Sequence, residues 1–223
     1  MMEDVRHMHE LPYVAHFVNN KRALMKFPNI EIRSFEICIC DGKSKLFQDI
    51  VSRILRHIKN NTEIRIDNCE KHLRSYTEEN KSEISQLVKQ DFISVTGPDR
   101  LRILKWLADQ TKEKKNDIDE MLNEEFGGDS QLDPTIINVG QDSENRTYWY
   151  FDDLRLYRQK SGQSKGSGDW QCLATSCSTW EEVIGNFSQS TDDQEQDLHA
   201  YLSNQLYPAI KPLLETQPLS PQS

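Results

Sequence analysis

The chain has no run of eighteen or more apolar residues, which excludes a helical membrane span. Its opening, MMEDVRHMHE, lacks the basic start and apolar stretch of a secretory leader, so a soluble, intracellular protein is expected. Five cysteines are an odd number. Neither Cys38-x-Cys40 nor Cys172-x4-Cys177, with Cys69 alone, has the paired spacing of zinc ligands, so mostly buried thiols are expected. No phosphate loop is present: in Gly162-Gln163-Ser164-Lys165-Gly166 the lysine precedes glycine and opens no helix, and residues 161–168 read as a linker. A GxSxG elbow is missing, and His7, His9, His16, His57, His72 and His199 supply no pair one helical turn apart with a third ligand. No catalytic, metal or cofactor-binding residue is therefore assigned, and the chain is expected not to be an enzyme.

What is present is a 223-residue chain, 36% hydrophobic and 28% charged, whose apolar residues fall in periodic clusters. That length suffices for one large domain or two small helical ones. The net charge of −9 argues against a general nucleic-acid coat, yet it is unevenly spread. Residues 1–110 carry 18 basic and 16 acidic groups, 111–135 carry 3 and 8, 136–168 carry 5 and 4, and 169–223 carry 1 and 8.

Leu11, Val14, Phe17 and Val18 behind Pro12 predict a helix over about 11–25, broken by Phe27-Pro28-Asn29. Ile30 and Ile32 read as extended, with Ser34 capping a short helix that stops near Gly42. Residues 44–59 give the strongest periodicity, with Leu46, Phe47, Ile50, Val51, Ile54, Leu55 and Ile58 on one face. The other face shows Lys45, Arg53, Arg56 and Lys59 against Asp49, either a solvated face or a patch for phosphates or an acidic partner. Asp67 and Glu70 suggest a capping box for a third helix, closing a helical domain near residue 80. Helices over 84–95 and from Thr96-Gly97-Pro98 through Leu107 follow, then an acidic helix around Ile118 to Leu122, ended by Gly127-Gly128.

Beyond residue 135 the period changes. Ile136, Ile137 and Val139, a polar turn at Asp142–Asn145, and Tyr148-Trp149-Tyr150-Phe151 predict a β-hairpin. Trp170–Leu173 reads as a possible third strand, Ser178-x-x-Glu181 as a capping box, and Leu198, Tyr201, Leu202, Leu206 and Leu213 as a last helix. The constellation Gly140-Gln141-Asp142 before the four aromatics is the most informative. Gly140 lets the chain turn, the Asp142 carboxylate is expected to be solvent-reachable, and four consecutive rings are expected to leave at least one at a surface or interface. Trp149 is expected to brace the hairpin against the helix at 98–110. The alternative is that Asp142 only bonds turn amides and the rings brace the hairpin.

On Ala15-His16-Phe17, Phe27-Pro28, Phe35-Glu36 and the ladder from Leu46 to Ile58, the first half resembles a DDT domain, a helical module of partners of ISWI-type remodelling ATPases. On Leu101, Leu104, Leu107, Gly140-Gln141-Asp142, Tyr148-Trp149 and Tyr157-Arg158, the second half resembles the WHIM segment that follows DDT in the family of the cat eye syndrome critical region protein and the remodelling and spacing factor. The resemblance covers about 11–79 and 96–158 and is faint beyond 168. It implies a mainly α protein: a helical DDT bundle over 1–80, a mostly helical WHIM region with one β-hairpin over 81–215, and a disordered tail at 216–223. It also implies a non-catalytic accessory subunit of an ISWI-type complex in the nucleus, docking on the ATPase through Gly140, Asp142, Tyr148 and Trp149. Contact with nucleosomal or linker DNA, weak and non-specific, falls to Lys45, Arg53, Arg56, Lys59, Arg155 and Arg158. Residues 146–165 are the second basic cluster, and a stand-alone DNA-binding transcription regulator is the alternative.

Overall fold

The structure, a computed structural model, describes residues 5–41, 43–111, 137–160 and 170–216. The chain divides into two compact units, Met1–Asn123 and Glu124–Ser223. The division expected near residue 80 is corrected, because residues 84–108 contribute Ile84, Val88, Phe92, Leu101, Leu104 and Leu107 to the core of the first unit.

The first unit is helical: α1 (Glu10–Asn20), α2 (Arg22–Met25), α3 (Ile32–Cys40), α4 (Lys45–Ile58), α5 (Cys69–Glu79), a 3₁₀ segment (Glu83–Lys89) and α6 (Gly97–Gln110). The α4 ladder is buried as its periodicity predicts, with Phe47, Ile50, Val51, Ile54 and Leu55 inside. The helix expected over 11–25 breaks at Lys21, and α3 begins two residues before Ser34, taking Ile32 from the expected extended stretch. Asn68, not Asp67, precedes α5, and its side chain accepts from the Arg65 amide at 2.7 Å. The helix expected over 84–95 is the shorter 3₁₀ segment, with the Ser82 hydroxyl accepting from the Ile84 amide. α6 starts where expected: Thr96 accepts from the Asp99 amide and Pro98 lies in the first turn, where its missing N–H has no helical partner. A Cβ on Gly97 would lie 3.1 Å from the Val5 side chain, so glycine permits the close approach that α6 makes there.

Buried inside this core is Arg100, 2% exposed. Its guanidinium donates to the carbonyls of Ile39 (2.7 Å) and Phe92 (3.0 Å) and lies 5.7 Å over the Phe47 ring. Ile39 ends in the last turn of α3, whose carbonyls have no intrahelical donor, so the arginine satisfies a helix terminus from within. Burial lowers its pKa from the ordinary arginine value.

The second unit corrects the expectation of a single hairpin. It is a four-stranded antiparallel sheet in the order β1 (Ile137–Gln141), β2 (Thr147–Tyr150), β3 (Leu156–Gln159), β4 (Trp170–Ala174). Tyr148 pairs with Gly140 and Arg158, and Trp149 with Asn138 and Tyr157. Three helical segments follow: α7 (Cys177–Phe187), α8 (Asp193–Tyr201) and α9 (Tyr207–Thr216), the last two joined through a π turn at Leu202–Leu206. Pro208 lacks the N–H that an α-helical ladder would use and crowds the preceding turn, which accounts for the widening. The capping box at α7 is Ser176–Thr179 instead of Ser178–Glu181, since Trp180 must already be helical to reach its fully buried position.

Tyr148 and Tyr150 face this helical layer, edge-on to Phe187 (5.7 Å) and Trp180 (6.5 Å). On the other face Phe151 and Trp170 pack around Tyr157, with Tyr157 and Trp170 stacked at 5.6 Å. All four consecutive aromatics are buried, on alternate sides, so none lies at the surface, one of the two places expected, surface or interface. α6 buries its apolar stripe against α1, α3 and α4. The acidic helix around 118–122, the 161–168 loop and the tail from 217 lie outside the described residues. No helix is long and apolar enough to cross a membrane among those described.

Candidate functional site

The β1–β2 connection is built around one carboxylate. A register shift lies between Asn138 and Gly140, where the Asn138 side chain accepts from the Gly140 amide at 3.0 Å. Gly140 has φ +143°, which disfavours any side chain, and a Cβ there would lie 3.3 Å from Leu198 of α8. Glycine thus bends the strand and lets α8 pack on it.

Asp142 is fully buried, which corrects the expectation of a solvent-reachable acid and agrees with the alternative that it bonds turn amides. Its Oδ1 accepts from the amides of Glu144 (3.1 Å) and Arg146 (3.0 Å). Its Oδ2 accepts from Arg146 Nε (2.6 Å) and the Tyr148 hydroxyl (2.9 Å). The physical reason is local: a tight turn leaves amides without partners, and a carboxylate inside the turn collects them. Asn145 takes a left-handed conformation, φ 58°, to complete the turn. Burial pushes the Tyr148 hydroxyl up to about 12, so it remains a donor to Asp142 at neutral pH.

The tip is tied to α8 from outside. Ser143 donates to Glu195 Oε1 through its amide (3.1 Å) and its hydroxyl (2.5 Å), while Ser190 donates to Oε2 (2.6 Å). These bonds, Ser143 first, hold the Glu195 carboxyl below its usual pKa. Ser143, Glu144 and Asn145 are the exposed residues of the tip, and the Glu144 side chain is 66% exposed.

Gly140, Asp142 and Tyr148 therefore lie together at this tip, but as its framework. Trp149 is buried on the opposite face of β2, with Nε1 donating to Gln159 at 3.2 Å. The basic candidates are dispersed. Arg53 pairs with Asp49 (2.7 Å) and donates to the Lys26 carbonyl (2.5 Å), and Arg56 donates twice to the Ile64 carbonyl (3.1 and 2.8 Å). Lys59 pairs with Glu79 at 3.4 Å and lies 5.4 Å over the Tyr76 ring. Arg155 is buried, and Arg158 donates to Gln171 at 2.6 Å. Of these six candidates Lys45 alone is exposed without an ion pair among the described residues.

Sequence reasoning missed two other polar centres. Asp153 accepts from the Tyr157 hydroxyl (2.5 Å) and the Arg155 amide (3.1 Å), and burial raises its carboxyl to about 6. The residues either side of it, Asp152 and Leu154, both adopt left-handed backbone, φ 56° and 63°. A leucine there is strained, and the Leu154 carbonyl is held by Trp180 Nε1 at 3.2 Å. Arg100 is the other, and its signal was its place on the apolar stripe, four residues before Leu104 and seven before Leu107. Among the described residues no group of three metal-ligating side chains occurs. No protein-family model matches the chain, and no solved structure matches it.

Proposed function

We propose that the chain is a non-catalytic accessory subunit of an ISWI-type chromatin-remodelling complex in the nucleus, docking on the ATPase and contacting linker DNA to help position nucleosomes and regulate transcription. The two sequence resemblances, in the order DDT then WHIM, support this reading. The observation that carries it is the Gly140–Arg146 tip, where the residues of the glycine-x-acid signature converge in space. Asp142 serves docking by holding the turn, since its four hydrogen bonds are all internal. Glu144, outward on that turn and paired there with Arg146 at 2.9 Å, still has its side chain 66% exposed and is the acid that reaches a basic group on the ATPase. Affinity capture from nuclear extract tests this. An ISWI-type ATPase recovered in stoichiometric amount by the wild type and lost with Glu144→Lys supports it. DNA recovered without ATPase contradicts it and favours a stand-alone regulator.

A further inference from the structure

Residues 11–30 contain Lys21, Arg22 and Lys26 and no aspartate or glutamate. In the structure these three cations fall at one corner, where α1 ends, α2 makes a single turn, and Phe27-Pro28 leads away. Asn19 through Leu24, Lys26, Pro28 and Asn29 are exposed along it, Leu24 at 61%. Of the α4 cations, Arg53 and Arg56 are engaged internally, as described above. Lys21, Arg22 and Lys26, by contrast, form no salt bridge among the described residues.

The corner is also fixed in shape. Lys26 closes α2 in left-handed backbone, φ 58°, and its carbonyl accepts from Arg53 of α4. Arg53 thereby sits beside Lys26, and the nearby acid Asp49 is already paired with it. Residues 11–30 bring no carboxylate to this corner to repel a polyanion, and the nearest acid along the chain is the exposed Glu31, two residues past Asn29.

We propose that the α1–α2 corner, through Lys21, Arg22 and Lys26 with Arg53 behind them, is the surface that takes the phosphate backbone of duplex DNA, in place of the outer face of α4. The choice of DNA among polyanions rests on the chromatin reading; the surface itself rests on charge. Contacts of this kind carry no base information, so the binding is sequence-independent and steeply salt-dependent.

The test is a titration of the full chain with linker-length duplexes at several salt concentrations, for wild type, Lys21→Glu/Arg22→Glu/Lys26→Glu and Lys45→Glu. The wild type should lose affinity with salt at a log–log slope of roughly two to four, about 0.9 per phosphate contacted. The corner variant should lower that slope by about two to three and weaken binding at least tenfold at low salt. Lys45→Glu should change it by one contact or less. The proposal is overturned if the corner variant binds as the wild type does, if the wild type binds no duplex at low salt, or if polyglutamate of equal charge binds as tightly as DNA. Mixing the corner variant with a purified ISWI-type ATPase separates the two readings. Retained ATPase binding with lost DNA binding supports the corner, whereas DNA binding that depends on the corner in a chain that binds no ATPase leaves the corner standing and the subunit reading overturned.

Discussion

The helical unit and the sheet unit meet the same difficulty, unpaired backbone polar groups at the ends of elements, with opposite charges. In the helical unit arginines donate to carbonyls: Arg100 to Ile39 and Phe92, Arg56 to Ile64, Arg74 to Val88. In the sheet unit carboxylates accept from amides and hydroxyls: Asp142 in the first turn, Asp153 in the second, Glu195 across to Ser143. Helix C-termini leave carbonyls without donors, and tight strand turns leave amides without acceptors. Arg100 and Asp142, the most deeply buried members of the two sets, are thus framework groups whose charge matches the backbone groups beside them, although Glu36 in the helical unit and Arg155 in the sheet unit are buried charges of the other sign.

Breaking the arginine side should have the largest effect. Arg100→Ala removes the donor to two buried carbonyls and opens a cavity beside Phe47, at a cost of about 4 kcal/mol. Arg100→Met restores much of the volume but not the bonds and should recover about half. Denaturant unfolding gives the loss, and hydrogen exchange should rise in residues 32–40 and 92–110 with 137–160 unchanged. Exchange rising equally in both units would dissolve the contrast between them.

The mirror experiment is Asp142→Asn, which turns one acceptor oxygen into a donor facing Arg146 Nε and the Tyr148 hydroxyl. A destabilisation of about 3 kcal/mol follows, read by the same unfolding assay. A variant as stable as the wild type would return Asp142 to the surface role expected from sequence.

Next in size is a pH effect at Asp153. Its carboxyl keeps its proton up to about pH 6 in the fold, against an ordinary value of 3.8. The fold therefore binds more protons than the unfolded chain between those values, and this contribution to stability is lost as pH rises from about 4 through 6. Asp153→Asn has no such loss, because it stays neutral, so its stability relative to wild type should be higher at pH 7.5 than at pH 4 by on the order of 2 kcal/mol. A difference that does not change with pH refutes the burial of that charge. Smallest is a chemical distinction: burial pushes the Cys38 and Cys69 thiols up to about 11 and about 12, so both should resist alkylation in the native chain and react once it unfolds. Rapid native labelling at either would place it at the surface.

Strong periodicity made α4 legible, and Thr96-Gly97-Pro98 marked the start of α6, because both signals are local. Strand β3 was not legible: Leu156–Gln159 is only four residues and is entered through left-handed Asp152 and Leu154, which no propensity favours for leucine. The tip residues were legible as a group, but the burial of Asp142 was not. A turn aspartate among polar neighbours reads as solvated, and the clue lay in Arg146 and Tyr148, four and six residues on, both able to donate inward. Arg53 and Arg56 were legible as cations of one helix face but their carbonyl partners were not, since side chains long enough to reach phosphate also reach the carbonyls of neighbouring loops.

The most direct test of the proposed role is co-elution of the purified full chain with a purified ISWI-type ATPase in the absence of DNA. A one-to-one complex that forms with the wild type and is lost with Glu144→Lys, while that variant keeps its native unfolding midpoint, is the predicted result. Separate elution of the wild-type chain and the ATPase would contradict it.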